Sequence, residues 1–156
     1  MKRFRCPSTK ITGIATVEYV IVLPLVMLLI IATAEIGRGF IQYNALNKAL
    51  RDGARLGAQV TAQNAGSTGI PQLSNSDVTN IRNLVVFGSI QGGGASVLPG
   101  LTPGNITVEL VDSDLNVSAN YDYQPLFSSI PTFGLGNTIS SAFNFRARVA
   151  IRSLIP

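Results

Sequence analysis

Residues 13–34, GIATVEYVIVLPLVMLLIIATA, form an apolar run with a single charged group, Glu18. The 21 residues from Ile14 to Ala34 suffice for a bilayer-crossing helix, which needs about 20. A carboxylate at mid-membrane costs roughly 2.5–3.5 kcal/mol on insertion scales. Glu18 therefore requires a partner, or else a place beside the near headgroup layer, about 6 Å along the helix from Ile14.

Upstream lies a basic leader, MKRFRCPSTK, holding Lys2, Arg3, Arg5 and Lys10. The 156-residue chain carries a net charge of +4, and from Ile14 onward eight basic residues balance eight acidic ones. The excess thus belongs to the leader, and the positive-inside rule keeps the N-terminus cytoplasmic and exports the rest. With no concentrated basic run, no nucleic-acid partner is expected. Cys6, the only cysteine, falls in the leader, so the exported part has no disulfide. Histidine is absent, which removes the commonest general base and metal ligand. No nucleophile–base pair or metal-ligand cluster emerges, so neither an enzyme nor a metal, cofactor or small-molecule substrate is expected.

Three readings of the N-terminus compete. Ala32-Thr33-Ala34 has the A-x-A form of a signal-peptidase site, but the apolar run exceeds the usual signal core and contains Glu18. A plain uncleaved signal anchor is the second. The third, cleavage between Gly13 and Ile14, accounts for Glu18. A new α-amino cation on Ile14 would meet the carboxylate of a staggered neighbouring chain, and charges in lipid are tolerable when paired. Basic leader, Gly13, four residues, then Glu18-Tyr19 and an apolar helix resembles the prepilin-peptidase site of type IV pilins. The Glu-Tyr pair is most similar to the Flp, or tight-adherence, branch.

The resemblance extends along the chain. Gly13-x-x-x-Val17-Glu18-Tyr19-x-x-x-Leu23-Pro24, then Ala34-Glu35, then Arg51-Asp-Gly-Ala-Arg55-Leu-Gly-Ala58 resembles the TadE-like family of pseudopilins, minor components of tight-adherence pilus machines. The likeness is good over the first 60 residues and holds only in outline beyond. It implies a function in pilus biogenesis and surface adhesion. It also implies prepilin peptidase, other pilins or pseudopilins, the inner-membrane assembly platform and the lipid bilayer as partners. Residues 1–13 would be a cleaved leader, 14–34 a transmembrane helix, 35–62 its exported continuation, and 63–156 a periplasmic α+β domain. The alternative is a single-pass membrane-anchored periplasmic binding or scaffold protein that does not polymerise.

Beyond the membrane run, Ile36, Phe40, Tyr43, Leu46, Leu50, Gly53, Leu56 and Val60 recur at three and four, which predicts that the helix continues to about Ala62 with those residues inward. Arg38, Gln42, Lys48, Arg51, Arg55 and Gln59 are expected to point elsewhere. Glu35 and Arg38, three apart, read as a solvated boundary pair. Pro24 removes one intrahelical bond and is expected to kink or loosen the helix, or to be tolerated as membrane prolines are. Gly53, Ala54, Gly57 and Ala58 form a small-residue face. In water each glycine costs about 1 kcal/mol of helix stability, so a close neighbour must compensate, either the chain's own sheet or another subunit.

In the remainder, residues 64–69 and 91–104 read as loops. Residues 76–88 form a short amphipathic helix, with Ser76 as N-cap and Gly88 ending it. The period then falls to two. Ile106, Val108 and Leu110 share one strand face, Val117, Ala119, Tyr121 and Tyr123 another, with a turn cluster at Asp112-Ser113-Asp114 between them. A last strand sets Phe143, Phe145, Ala147, Val149 and Ile151 against Arg146, Arg148 and Arg152. Three antiparallel strands with one apolar face need a cover, which the long helix supplies, giving an α+β fold with a meander sheet. The arginines form an outer stripe, either solvated with Glu109 or Asp122 across the strands or a docking surface for an acidic partner. Residues 124–141 are too long for a structureless connection and are expected to cover the core or make contacts.

Overall fold

The computed structural model describes residues 12–66, 69–126, 129–130, 139–140 and 143–152. The leader up to Ile11 and most of 124–141 lie outside the described residues. Helix α1 runs Thr12–Ala65 and helix α2 Asn75–Phe87. After a 3-10 turn at Pro103–Asn105 come strands β1 (Ile106–Val111), β2 (Asp114–Asp122), β3 (Ser129–Ile130), β4 (Ile139–Ser140) and β5 (Asn144–Arg152). The fold is α+β, with a three-stranded antiparallel sheet in the order β1-β2-β5. The short pair β3–β4 is inserted between β2 and β5.

Register places the apolar side chains in rows. Ile106, Ala119 and Ala147 share one row, Val108, Val117 and Val149 the next, and Leu110, Leu115 and Ile151 the third. A period of two puts all nine on the same face. The hairpin turn is two residues, Asp112 and Ser113, because Val111 pairs directly with Asp114. Strand β2 therefore starts two residues earlier than alternation predicts. Asp112 has φ 56°, a left-handed conformation that aspartate tolerates in turns.

Both helices cover the sheet. The outer half of α1 lies over β2 and β5, and α2 lies over β1 and against α1. Leu46, Leu50 and Ala54 from α1, Ile81 and Val85 from α2, and Leu115, Val117 and Tyr121 from the sheet make one core. Helix α2 begins two residues earlier than expected. Its N-cap is Ser74, not Ser76, in a capping box with Asp77. The Ser74 Oγ accepts from the Asp77 N–H at 3.2 Å and the Asp77 carboxylate accepts from the Ser74 N–H at 3.1 Å. That pattern satisfies two helix-start donors reciprocally. Gly88 closes the helix in the left-handed region at φ 69°, its N–H donating to the Leu84 carbonyl, as C-terminal glycines do.

The inward stripe of α1 departs from expectation at its lower end. Glu35 and Gln42 are buried, at 6% and 8% exposure, whereas Ile36 and Phe40 are 60% and 66% exposed. Polar groups face the domain there and apolar ones face out.

Candidate functional site

The N-terminal end of α1 carries the first group of candidate residues. Gly13 and Ile14 lie in the first turns of the helix, followed by Glu18 and Tyr19 on its exposed surface. Adding a Cβ at Gly13 would touch nothing within 4 Å among the described residues, so the glycine there answers no packing demand from them. Helical assignment continues across Pro24, which has no N–H to give the Val20 carbonyl. Thr33, deeper in the apolar run, folds its hydroxyl back to donate to the Leu29 carbonyl at 2.8 Å. Among the described residues one helix, α1, is long and apolar enough to cross a membrane, so it is a candidate single-pass anchor.

The second group forms where α1 meets the end of the sheet. The Glu35 Oε1 accepts from the Tyr123 hydroxyl at 2.8 Å and from the Leu126 N–H at 2.9 Å. The expected solvated pair with Arg38 is thus corrected: Glu35 is a buried acceptor that pins the chain after β2 to the helix. About two turns up, the Tyr121 hydroxyl lies 3.0 Å from the Gln42 Oε1 and 2.9 Å from the Pro99 carbonyl. Burial is the main cause pushing both tyrosine hydroxyls above their ordinary value, and for Tyr123 the Glu35 carboxylate adds to it. Arg38 opposes the shift at both. Neutral, donating hydroxyls are what these carbonyl and carboxylate acceptors require.

Around this point the aromatic rings gather. Phe145 sits 5.6 Å from Tyr43 edge-on and 5.6 Å from Tyr123, and Tyr123 is 6.4 Å from Phe143, spacings typical of favourable aromatic pairs. They line an apolar groove of about 360 Å³ together with Ile36, Gly39 and Phe40. Periodicity misassigned this region because it followed apolar character rather than helix phase. Stepping back four, seven and eleven from the core residue Leu46 lands on Gln42, Gly39 and Glu35, the residues that do face the domain.

The small-residue face packs within the chain. A Cβ on Gly53 would overlap the Val85 Cγ2, and one on Gly57 would overlap the Leu115 Cδ2 while reaching 3.0 Å from the Ile81 Cδ1. Ala54 is fully buried and Ala58 half-buried. Thr61 completes the face, its hydroxyl 2.9 Å from the Gly57 carbonyl. The neighbours are α2 and β2 together, since the first meets Gly53 and both meet Gly57.

Arg146, Arg148 and Arg152 are exposed on the outer face of β5. Neither Glu109 nor Asp122 partners them through the sheet. The Arg148 Nε donates to the Asn116 Oδ1 at 3.3 Å, while the Asp122 carboxylate accepts from Asn144. Register sets Arg152 opposite Asp114 and Arg146 opposite Asn120. Among the described residues no group of acidic, cysteine or histidine side chains could hold a metal ion.

Comparison with known proteins gives one family. Residues 13–55 match the family described as TadE-like protein, and over that segment, from the first turn of α1 to beyond Gly53, the chain is similar to that family. No curated protein and no solved structure matches it.

Proposed function

We propose that this chain, TadE-like along its N-terminal helix, is a pseudopilin or minor pilin of a tight-adherence, Flp-type pilus that acts in pilus biogenesis and surface adhesion. Prepilin peptidase would cut between Gly13 and Ile14. The product would sit in the inner membrane as a single-pass protein with its N-terminus cytoplasmic and residues 63–156 in the periplasm, until other pilins and the assembly platform take it up. The observation that carries this reading is the position of Glu18 on the exposed surface of α1, four residues past Ile14. Cleavage creates an α-amino cation, and a neighbouring helix shifted by four residues, about 6 Å, brings that cation level with the carboxylate. Two ions that are each costly in lipid then neutralise one another. Because the amine exists only after processing, leader removal also licenses assembly. Pro24 loosens the helix midway along its apolar run and lets it bend as subunits pack. Arg146, Arg148 and Arg152 present a basic outer face to an acidic partner.

Replacing Glu18 with alanine leaves leader cleavage intact and abolishes incorporation into filaments, read by the mass of the mature N-terminus and by shed-pilus fractions. Normal pili from that variant would sink the proposal. A mature protein that begins at Glu35 or at Met1 would sink it equally, the first as a signal peptide and the second as an uncleaved anchor. The apolar groove beside Phe145 supports the second reading, a membrane-anchored periplasmic binding or scaffold protein, and that reading gains if the Glu18 variant assembles normally.

A further inference from the structure

We propose that the bilayer extends past the apolar run to Tyr43, so that the lower end of the sheet at Phe143 rests in the lipid headgroup layer. The inference builds on the membrane-anchor reading above and adds where the membrane stops. Its first support is the reversal of sidedness on α1. Glu35 and Gln42 are satisfied inside the domain, while Ile36, Phe40 and Ile41 are 60%, 66% and 70% exposed. In water that arrangement exposes apolar surface for no return, whereas against lipid it is the favourable one. Length agrees. From Ile14 to Tyr43 the helix rises about 44 Å, within the ~40–45 Å of a bilayer with its headgroup regions.

Charge marks the same limit. Between Tyr19 and Asn47 the only charged residues are Glu35 and Arg38; Glu35 is buried and Arg38 half-buried. Just past Asn47 come Lys48, Arg51, Asp52 and Arg55, all exposed. Phe40, Tyr43 and Phe143 stand at the boundary, where aromatic side chains are enriched in membrane proteins. Lipid rather than a second copy is favoured by the width of the face. At ~100° per residue, Tyr43, Ile36, Phe40 and Ile41 cover an arc of about 160°, broader than the seam one packed helix occupies.

The chain contains no tryptophan, so single-tryptophan variants report depth directly. Leu25→Trp, Phe40→Trp, Phe143→Trp and Ile70→Trp, each in the full chain, are reconstituted into phosphatidylcholine vesicles with lipids brominated at shallow or deep acyl positions. The expected result is blue-shifted emission and loss of fluorescence with shallow bromines for Phe40→Trp and Phe143→Trp. Leu25→Trp should be quenched by deep bromines and Ile70→Trp, at the far end of the domain, by neither. If positions 40 and 143 stay unquenched while 25 is quenched, the lipid seat is wrong and the anchor stands. If 25 is unquenched too, the anchor fails and takes this inference with it. Blue-shifted but unquenched emission at 40 that reddens as protein is diluted in lipid would give the face to a second copy and overturn the proposal. All four sites are exposed in the chain, so the substitutions leave the core packing in place, which far-ultraviolet dichroism checks.

Discussion

At the scale of single residues, the Glu35–Tyr123 contact does the most to join the anchor to the domain. A hydrogen bond to a charged group contributes about 1.5–3 kcal/mol, and removing one partner leaves the other desolvated. Tyr123→Phe should therefore lower the unfolding free energy by roughly that amount, measured by urea titration of the purified protein in detergent micelles. The same bond gives stability an alkaline limit. In the folded chain the Tyr123 hydroxyl ionises above its ordinary value of 10.0. Protons then stay on the native state longer than on the unfolded one, so the contribution is complete below pH 10 and disappears as pH rises through the folded value. The wild type should lose more stability than Tyr123→Phe does as pH rises above 10, with the raised Tyr121 hydroxyl contributing to the loss that remains in the variant. Asp77 works in the opposite direction. Its carboxyl is held below the ordinary 3.8, chiefly by the Ser74 hydroxyl, so the α2 cap weakens as pH falls through that range.

At the scale of elements, α1 contains glycines of two kinds. Gly57 has no room for a Cβ because Leu115 and Ile81 already fill the space, whereas at Gly37 a Cβ meets nothing. Gly57→Ala should destabilise by about 1–3 kcal/mol through overpacking, partly offset by better helix propensity. Gly37→Ala should leave stability within about 0.5 kcal/mol of the wild type, since nothing is overpacked there and that stretch stays helical when the domain unfolds. A loss at Gly57 without one at Gly37, read as shifts in the urea midpoint, would establish that the interface and not the helix demands Gly57. Helix α2 depends on its cap. Ser74→Ala removes an acceptor from the Asp77 N–H and should cost about 1 kcal/mol, while Ser76→Ala, outside the cap position, should cost markedly less.

At the scale of the molecule, the core is shared by both helices and the sheet, with Leu115 where they converge. It is flanked in register by Leu110 and Ile151, sits under Gly57, and is fully buried. Leu115→Ala should cost about 2–5 kcal/mol, and it should make the sheet and α2 unfold together while the apolar stretch of α1 stays helical in micelles. Loss of the near-ultraviolet tyrosine signal, with the helical signal of the apolar stretch kept, would be the observable result. A transition that melted α1 throughout would mean the anchor draws its stability from the domain. The hydrophobic run needs no such help, because every backbone group of a helix in lipid is bonded within it.

Much of this was legible in the residues themselves. A long apolar run flanked by charges specifies a helix long and apolar enough to cross a membrane, and alternation from Ile106 to Leu110, from Val117 to Tyr123 and from Phe143 to Ile151 specifies half-buried strands. Gly88 announced the end of α2 because few other residues adopt its backbone angles cheaply. Ser74 was missed because Ser76 offers the same side chain, and only the distance to Asp77 separates them. Tertiary structure alone decided which face of α1 turns inward around Glu35, Gln42 and Phe40. Apolar periodicity assumes water outside and an oily interior, and it misreads a helix whose outside is the oily side. Whether Glu35 is solvated or buried depends on Tyr123, 88 residues away in the chain, and a local pattern carries no information about a contact made across that separation.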